Sequence, residues 1–207
     1  TSLAPLEWNG CKVNIIDTPG YFDFVGEMQE GLRVADGAII LASAKDGVQV
    51  GTEKAWEEAS KQKIAKLFFI SKIDEENSDF FKVFDQLQDK FGKDVIAFEL
   101  PIIENGSFTG IVNVATMKAK KFSGKDFVDA DIPASMQATV EKYREGISEA
   151  VAETDEDLME KYFSGEAFTE EEILKGLSKG IKSGDISPVF CGSAINHAGV
   201  KLLLDAV

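Results

Sequence analysis

Three short segments, each closing an apolar run, carry the residue types that could do chemistry in this 207-residue chain: Asp17-Thr18-Pro19-Gly20, Ser71-Lys72-Ile73-Asp74 and Gly192-Ser193-Ala194. In an open α/β sheet, ligands gather outside the carboxyl ends of the strands. A carboxylate there, as Asp17 would be, can hold a magnesium ion through water beside a phosphate. Thr18 and Pro19 stiffen the turn, and Gly20, lacking a side chain, lets its N–H approach a phosphate oxygen. Asp74 can accept two hydrogen bonds from the N1–H and exocyclic amine of guanine, a donor pair that adenine lacks. The methylene stem of Lys72 can cover the base plane. Small residues at Gly192, Ser193 and Ala194 let backbone N–H groups reach a base carbonyl. Each segment alone has a plainer explanation, as a strand-to-helix turn or a charged strand end held at the surface. Three such ends in this order are more specific than any one.

The elements that must position them follow from periodicity. Residues 12–17, 37–44, 66–72 and 188–193 are apolar runs of the kind expected for strands buried on both faces of a parallel sheet. Helical patterns over 22–34 and 49–62 separate the first three, so the alternation predicts an α/β fold. A further helix is predicted over 79–90, capped by Asp79, striped by Phe80, Phe81, Phe84 and Leu87, and stopped by Gly92. The rhythm then changes. Residues 95–101, 108–113 and 115–121 read as strands with a turn at 104–107. Two helices follow, one starting near Pro133 with Met136, Val140, Tyr143 and Ile147 on its face, the other opened by the capping box Thr169–Glu172. Between them, Thr154 and Asp157 form a further capping pair. The predicted division is a core over 1–94, an α+β insert over 95–185 and a return to the core over 186–207.

Composition narrows the class of function. The net charge is −14, and residues 95–185 contain 18 acidic against 10 basic side chains. Such a surface repels nucleic-acid phosphates, so strong direct nucleic-acid binding is not expected. Acidic helix faces are most simply solvated surface. No run of apolar residues is long enough to suggest a membrane span. Two distant cysteines, Cys11 and Cys191, fit a reduced, cytoplasmic chain better than a disulfide scaffold. His197 is the single histidine, which excludes a histidine-based metal cluster or triad and leaves it a loop residue. Cys191 lies in an apolar run and reads as packing, as do Trp8, Trp56 and most of the phenylalanines.

The motifs together resemble the GTPase domain of the translation elongation factor G family. "IIDTPGYFDFVGEM" is similar to the third G motif of that family, "SKID" to the fourth and "CGSA" to the fifth. "LRVADGAIILASAKDGVQVGTEKAW" and "ETDEDLMEKYFSGEAFTEEEI" resemble its helix and insert segments, and the likeness covers essentially the whole chain. The resemblance implies a P-loop GTPase-like α/β fold, truncated at its N-terminus, with the inserted subdomain that distinguishes this factor from elongation factor Tu. It implies GTP or GDP and Mg2+ as ligands, with Asp17 at the magnesium water, Gly20 at the γ-phosphate, Ser71, Lys72 and Asp74 around guanine, and Ser193 and Ala194 at its carbonyl edge. It implies the ribosome as partner, with the acidic stalk protein a candidate for the insert, and translocation or tetracycline-type ribosomal protection as the role.

Three departures from that pattern set expectations of their own. The position after Asp-Thr-Pro-Gly, a histidine in the family that orients the attacking water, is Tyr21. A phenol is neutral at pH 7 and cannot become a cation, so slower hydrolysis is expected. The fourth motif begins with Ser71 where the family has asparagine, so an amide donor–acceptor pair is lost. No G-x-x-x-x-G-K-[ST] phosphate loop occurs in the sequence. It is expected to lie before Thr1, in a longer protein, and the chain by itself is expected to bind GTP poorly. A hydrolysis-impaired paralogue that senses nucleotide or docks on the ribosome is the second reading.

Overall fold

The computed structural model describes residues 1–124 and 126–207. The chain opens with a hairpin of β1 (Ser2–Trp8) and β2 (Cys11–Asp17), paired antiparallel from Trp8↔Cys11 to Ser2↔Asp17. Its two-residue turn is Asn9-Gly10, with φ of 47° and 78°. Two left-handed residues are what a tight hairpin needs to match the strand twist. The hairpin corrects one expectation. Residues 12–17 do not join the parallel sheet; they pair with β1, and Ile15 is 39% exposed. The indole N–H of Trp8 donates to Asp205 at 2.9 Å, tying the hairpin to the C-terminal helix.

A 3-10 turn (Phe22–Phe24) leads into α1 (Val25–Leu32), then β3 (Gly37–Ser43), α2 (Val50–Lys61), β4 (Ala65–Ser71), α3 (Phe80–Phe91) and β5 (Val95–Ala97). The caps of α3 are the predicted ones. Asp79 accepts from the Lys82 N–H at 3.0 Å, and Gly92 ends the helix at φ 100°. Its buried stripe is Phe80, Val83, Phe84 and Leu87; Phe81 lies at the margin, 36% exposed. Trp56 of α2 stacks on Phe68 of β4 and Phe91 of α3, at centroid distances of 5.2 and 4.8 Å.

The antiparallel part comprises β6 (Glu99–Glu104), β7 (Ser107–Asn113), β8 (Lys118–Ser123) and β9 (Asp126–Ala130) in sequential order. α4 (Gln137–Ala152), α5 (Glu156–Phe163) and α6 (Glu170–Ser183) follow it, α4 packing on α5, α6 and β5, and α6 on β4. Here too the structure differs from the reading of the sequence. The run 95–101 is two strands, because Phe98 leaves the line and donates its N–H to Val189. The expected strand at 115 starts at Lys118, because Asn113 accepts from the Thr116 N–H and Met117 turns left-handed at φ 55°. β9 was not foreseen. The cap of α5 is Asp155, which accepts from Asp157 N–H, while the Thr154 hydroxyl donates to Val151 instead. The Thr169–Glu172 capping box stands at the start of α6.

β10 (Ser187–Cys191) returns to the parallel sheet, whose order is β3-β4-β10-β5, and α7 (Val200–Ala206) follows. β4 and β10 are buried on both faces. β3 is an edge strand, and against expectation its Ile39 and Leu41 are 42% and 63% exposed, since no described element covers that face. One core continues from Phe68, Ile70 and Val189 through Leu100, Ile102 and Ile111 to Val140, Ile147, Ile173 and Leu177. Sheet and insert therefore share their apolar packing, which fixes the strand ends relative to one another.

Candidate functional site

The parallel register sets β3, β4 and β10 to end at one edge, with Ser43 opposite Ser71 and Cys191 opposite Ile70. Past β4 the chain turns sharply. Lys72 is left-handed at φ 61°, and the Glu75 N–H donates back to its carbonyl at 3.2 Å. Ile73 is buried and acts as the anchor, so the flanking Lys72 and Asp74 face outward. The Lys72 ammonium lies 3.7 Å from Asp46. Asp46 accepts the Ser43 hydroxyl at 2.7 Å, and that bond, with the charges of Lys72 and Lys45, holds its carboxyl below the usual range. Ser71 does not reach toward β10. Its hydroxyl donates to the Ala42 carbonyl of β3 at 3.2 Å.

The loop after β10 meets this turn directly. Gly192 donates to Ile70 at 3.0 Å and accepts from the Ile73 N–H at 3.3 Å. Ser193 is buried, its N–H spent on Ala198 and its hydroxyl accepting from the Asn196 N–H at 3.3 Å. Ala194 is the exposed member of the pair. The Asn196 amide donates to the Asp74 carboxylate at 2.7 Å. His197 is an exposed, left-handed loop residue at φ 55°, as expected. Cys191 is buried, and burial pushes its thiol well up, which suits packing rather than a nucleophile.

The turn at 17–20 is linked less directly. Asp17 is the exposed last residue of β2. The Thr18 methyl packs where a Gly31 side chain would stand, so only glycine lets α1 seat on this turn. The Gly20 carbonyl lies 3.6 Å from the Cβ position of Gly51, in the first turn of α2. The segment before α2 holds Asp46, the partner of Lys72. The first turn thus reaches the other two through residues 43–51, while those two touch each other. Tyr21 is 79% exposed, its carbonyl accepting from the Phe24 N–H. Among the described residues no three His, Cys, Asp or Glu side chains converge as a metal cage. A lone Asp17 carboxylate fits a magnesium ion carried largely by phosphate and water, the usual habit of that ion. Two cavities, of about 440 Å³ beside α5 and about 550 Å³ beside β9, are lined by none of these residues.

The family profile of the elongation factor Tu GTP binding domain matches residues 1–207. The chain belongs to that family. Its structure is also similar to a crystal structure of a protein from Thermus thermophilus, with a TM-score of 0.90 and 34% identity. The match covers 99% of this chain and 31% of that one, so the chain spans about a third of that relative's length. The chain is thus a GTP-binding domain of the translational GTPase family. Asp46 and Asn196 were not singled out in the sequence. Each acts on a residue distant in the chain, and neither stands in a motif with a mechanism of its own.

Proposed function

We propose that the chain is the guanine-nucleotide part of an elongation factor G-like GTPase that couples hydrolysis to a ribosomal step, translocation in the first instance. The supporting observation is the antiparallel sheet and three-helix insert between the turn that bears Asp74 and the loop that bears Ala194. In this reading Lys72 and Asp74 hold guanine, the Ala194 N–H meets its carbonyl over the buried Ser193, Ser71 braces β4 on β3, and Asp17 and Gly20 face magnesium and the γ-phosphate. Bound magnesium would neutralise charge on the phosphates. Residues 1–94 and 186–207 form the core, residues 95–185 the insert, and the protein works in the cytoplasm at the ribosome, the insert facing the stalk.

The base reading is tested by Asp74→Asn in the intact protein, which swaps an acceptor for a donor opposite the guanine amine. Guanine preference over adenine is expected to fall about ten-fold or more; an unchanged preference removes Asp74 from the role. Tyr21 favours a second reading, a nucleotide-sensing or ribosome-docking paralogue with slow hydrolysis, because an exposed phenol stands beside the proposed γ-phosphate where the family has an imidazole. Tyr21→His is expected to raise ribosome-stimulated GTP turnover about ten-fold, within the range by which positioned acid–base groups act. Equal or slower turnover would show that Tyr21 itself serves hydrolysis.

A further inference from the structure

Asp74 can read guanine only if both carboxylate oxygens face the base edge together. A terminal carboxylate torsion is broad and nearly two-fold, so an unsupported Asp samples many orientations in water. The side chain in its own turn that could restrain it, Ser71, is committed to the Ala42 carbonyl. The restraint comes from the loop after β10. Among the described residues, the 2.7 Å bond from the Asn196 amide to Asp74 is the one side-chain hydrogen bond that joins the two base-side turns. Its donor is itself held. The Asn196 N–H is fixed on the buried Ser193 hydroxyl, and the His197 N–H closes on the Ala194 carbonyl at 3.4 Å. The left-handed His197 sets the direction in which the loop leaves.

We infer that Asn196 is a positioning residue for base recognition: its amide orients the Asp74 carboxylate from the opposite turn, leaving that group ready for the guanine donors. This deepens the guanine-nucleotide reading and rests on it. One carboxylate oxygen has room for two donors, so Asn196 and a base N–H can share it. A charge-assisted bond of this length is among the stronger ones. Orienting the acceptor before the ligand arrives lowers the ordering cost of binding.

The experiment measures GDP and inosine diphosphate affinities in the intact protein, unsubstituted and with Asn196→Ala, Asn196→Asp or Asp74→Ala. Inosine lacks the exocyclic amine, so the ratio of the two affinities reports how well the carboxylate meets that amine. Asn196→Ala is expected to weaken GDP about five- to ten-fold and inosine diphosphate only about two-fold, so the ratio drops. Asn196→Asp keeps the shape, removes the donor and adds a like charge, so its ratio should drop at least as far. Equal weakening of both nucleotides would mean that Asn196 merely supports the loop. Tighter GDP binding would mean that the amide competes with the base. Either result overturns the inference, as does an unchanged ratio when Asp74→Ala alone lowers it. If the unsubstituted protein does not prefer GDP over inosine diphosphate, the guanine reading itself fails.

Discussion

Gly192→Ala is expected to destabilise the chain by about 2–4 kcal/mol and to abolish guanine-nucleotide binding in the intact protein. A methyl group at this position would overlap the Ala198 carbonyl oxygen and come within 2.7 Å of the Phe69 ring edge. The first obstacle is backbone and the second is a buried ring, so neither can yield cheaply. Gly192 also holds the turn after β4 and the loop after β10 together, through its N–H on Ile70 and its carbonyl on Ile73. Overpacking of a closed site costs about 1–3 kcal/mol, and a strained backbone bond adds about 1. Urea unfolding followed by circular dichroism measures the first effect, and nucleotide titration the second. Gly20→Ala is the matched control. Nothing stands within 4 Å of a Cβ there, so its unfolding midpoint should stay within about 0.5 kcal/mol of the unsubstituted chain. If Gly192→Ala unfolds at the same denaturant concentration as the control, the close approach of the two turns is not what holds this loop.

The strands β4 and β10 were legible because burial on both faces leaves an unbroken apolar record, as in Phe68-Phe69-Ile70 and Val189-Phe190-Cys191. Helices announced themselves through caps, Asp79 and Gly92 around α3 and Thr169 with Glu172 at α6. The same logic misplaced 12–17, because Val13, Ile15 and Ile16 read alike in a hairpin and in a parallel sheet. The discriminating signal was Asn9-Gly10, a left-handed pair at the distance a hairpin requires. The division of 95–101 into β5 and β6 had no local mark. It is set by Phe98, whose N–H donates to Val189 of β10 and whose carbonyl accepts from Val114, just past the end of β7. In the candidate site, Asp74 and Lys72 stood out as charges at the end of a buried strand. Their partners did not, since Asn196 is 122 residues from Asp74 and is placed only by the fold. The direction of the Ser71 hydroxyl, toward β3 and away from β10, is likewise a matter of register.

The most consequential group outside these turns is Glu99, and it predicts an unusual dependence of stability on pH. Glu99 opens β6 at the seam with β10, is 1% exposed, and accepts the Cys191 N–H at 3.3 Å. Burial pushes its carboxyl up to about 8 from a usual 4.5, against smaller opposing effects of the Cys191 N–H and the Lys120 charge. Between those two values the unfolded chain has released its proton while the folded chain keeps it. The unfolded state then binds fewer protons, so stability falls as pH rises, by up to about 1.4 kcal/mol per pH unit, and levels off above the folded value. Glu99→Gln keeps the shape without the titration. The variant is expected to match the unsubstituted chain within about 1 kcal/mol at pH 5 and to exceed it by about 2–3 kcal/mol at pH 7.5. Asp94 is also shifted upward by burial, so the absolute slope mixes the two groups, whereas the difference between the chains isolates Glu99. Urea midpoints across pH 5 to 8 measure it. Parallel profiles would mean that Glu99 is ionised in the folded chain, with water or Lys120 compensating its charge. A widening gap would make the strand that leads into Gly192 more securely held in the protonated state, since Glu99 and Cys191 join β6 to β10 one residue before the loop begins.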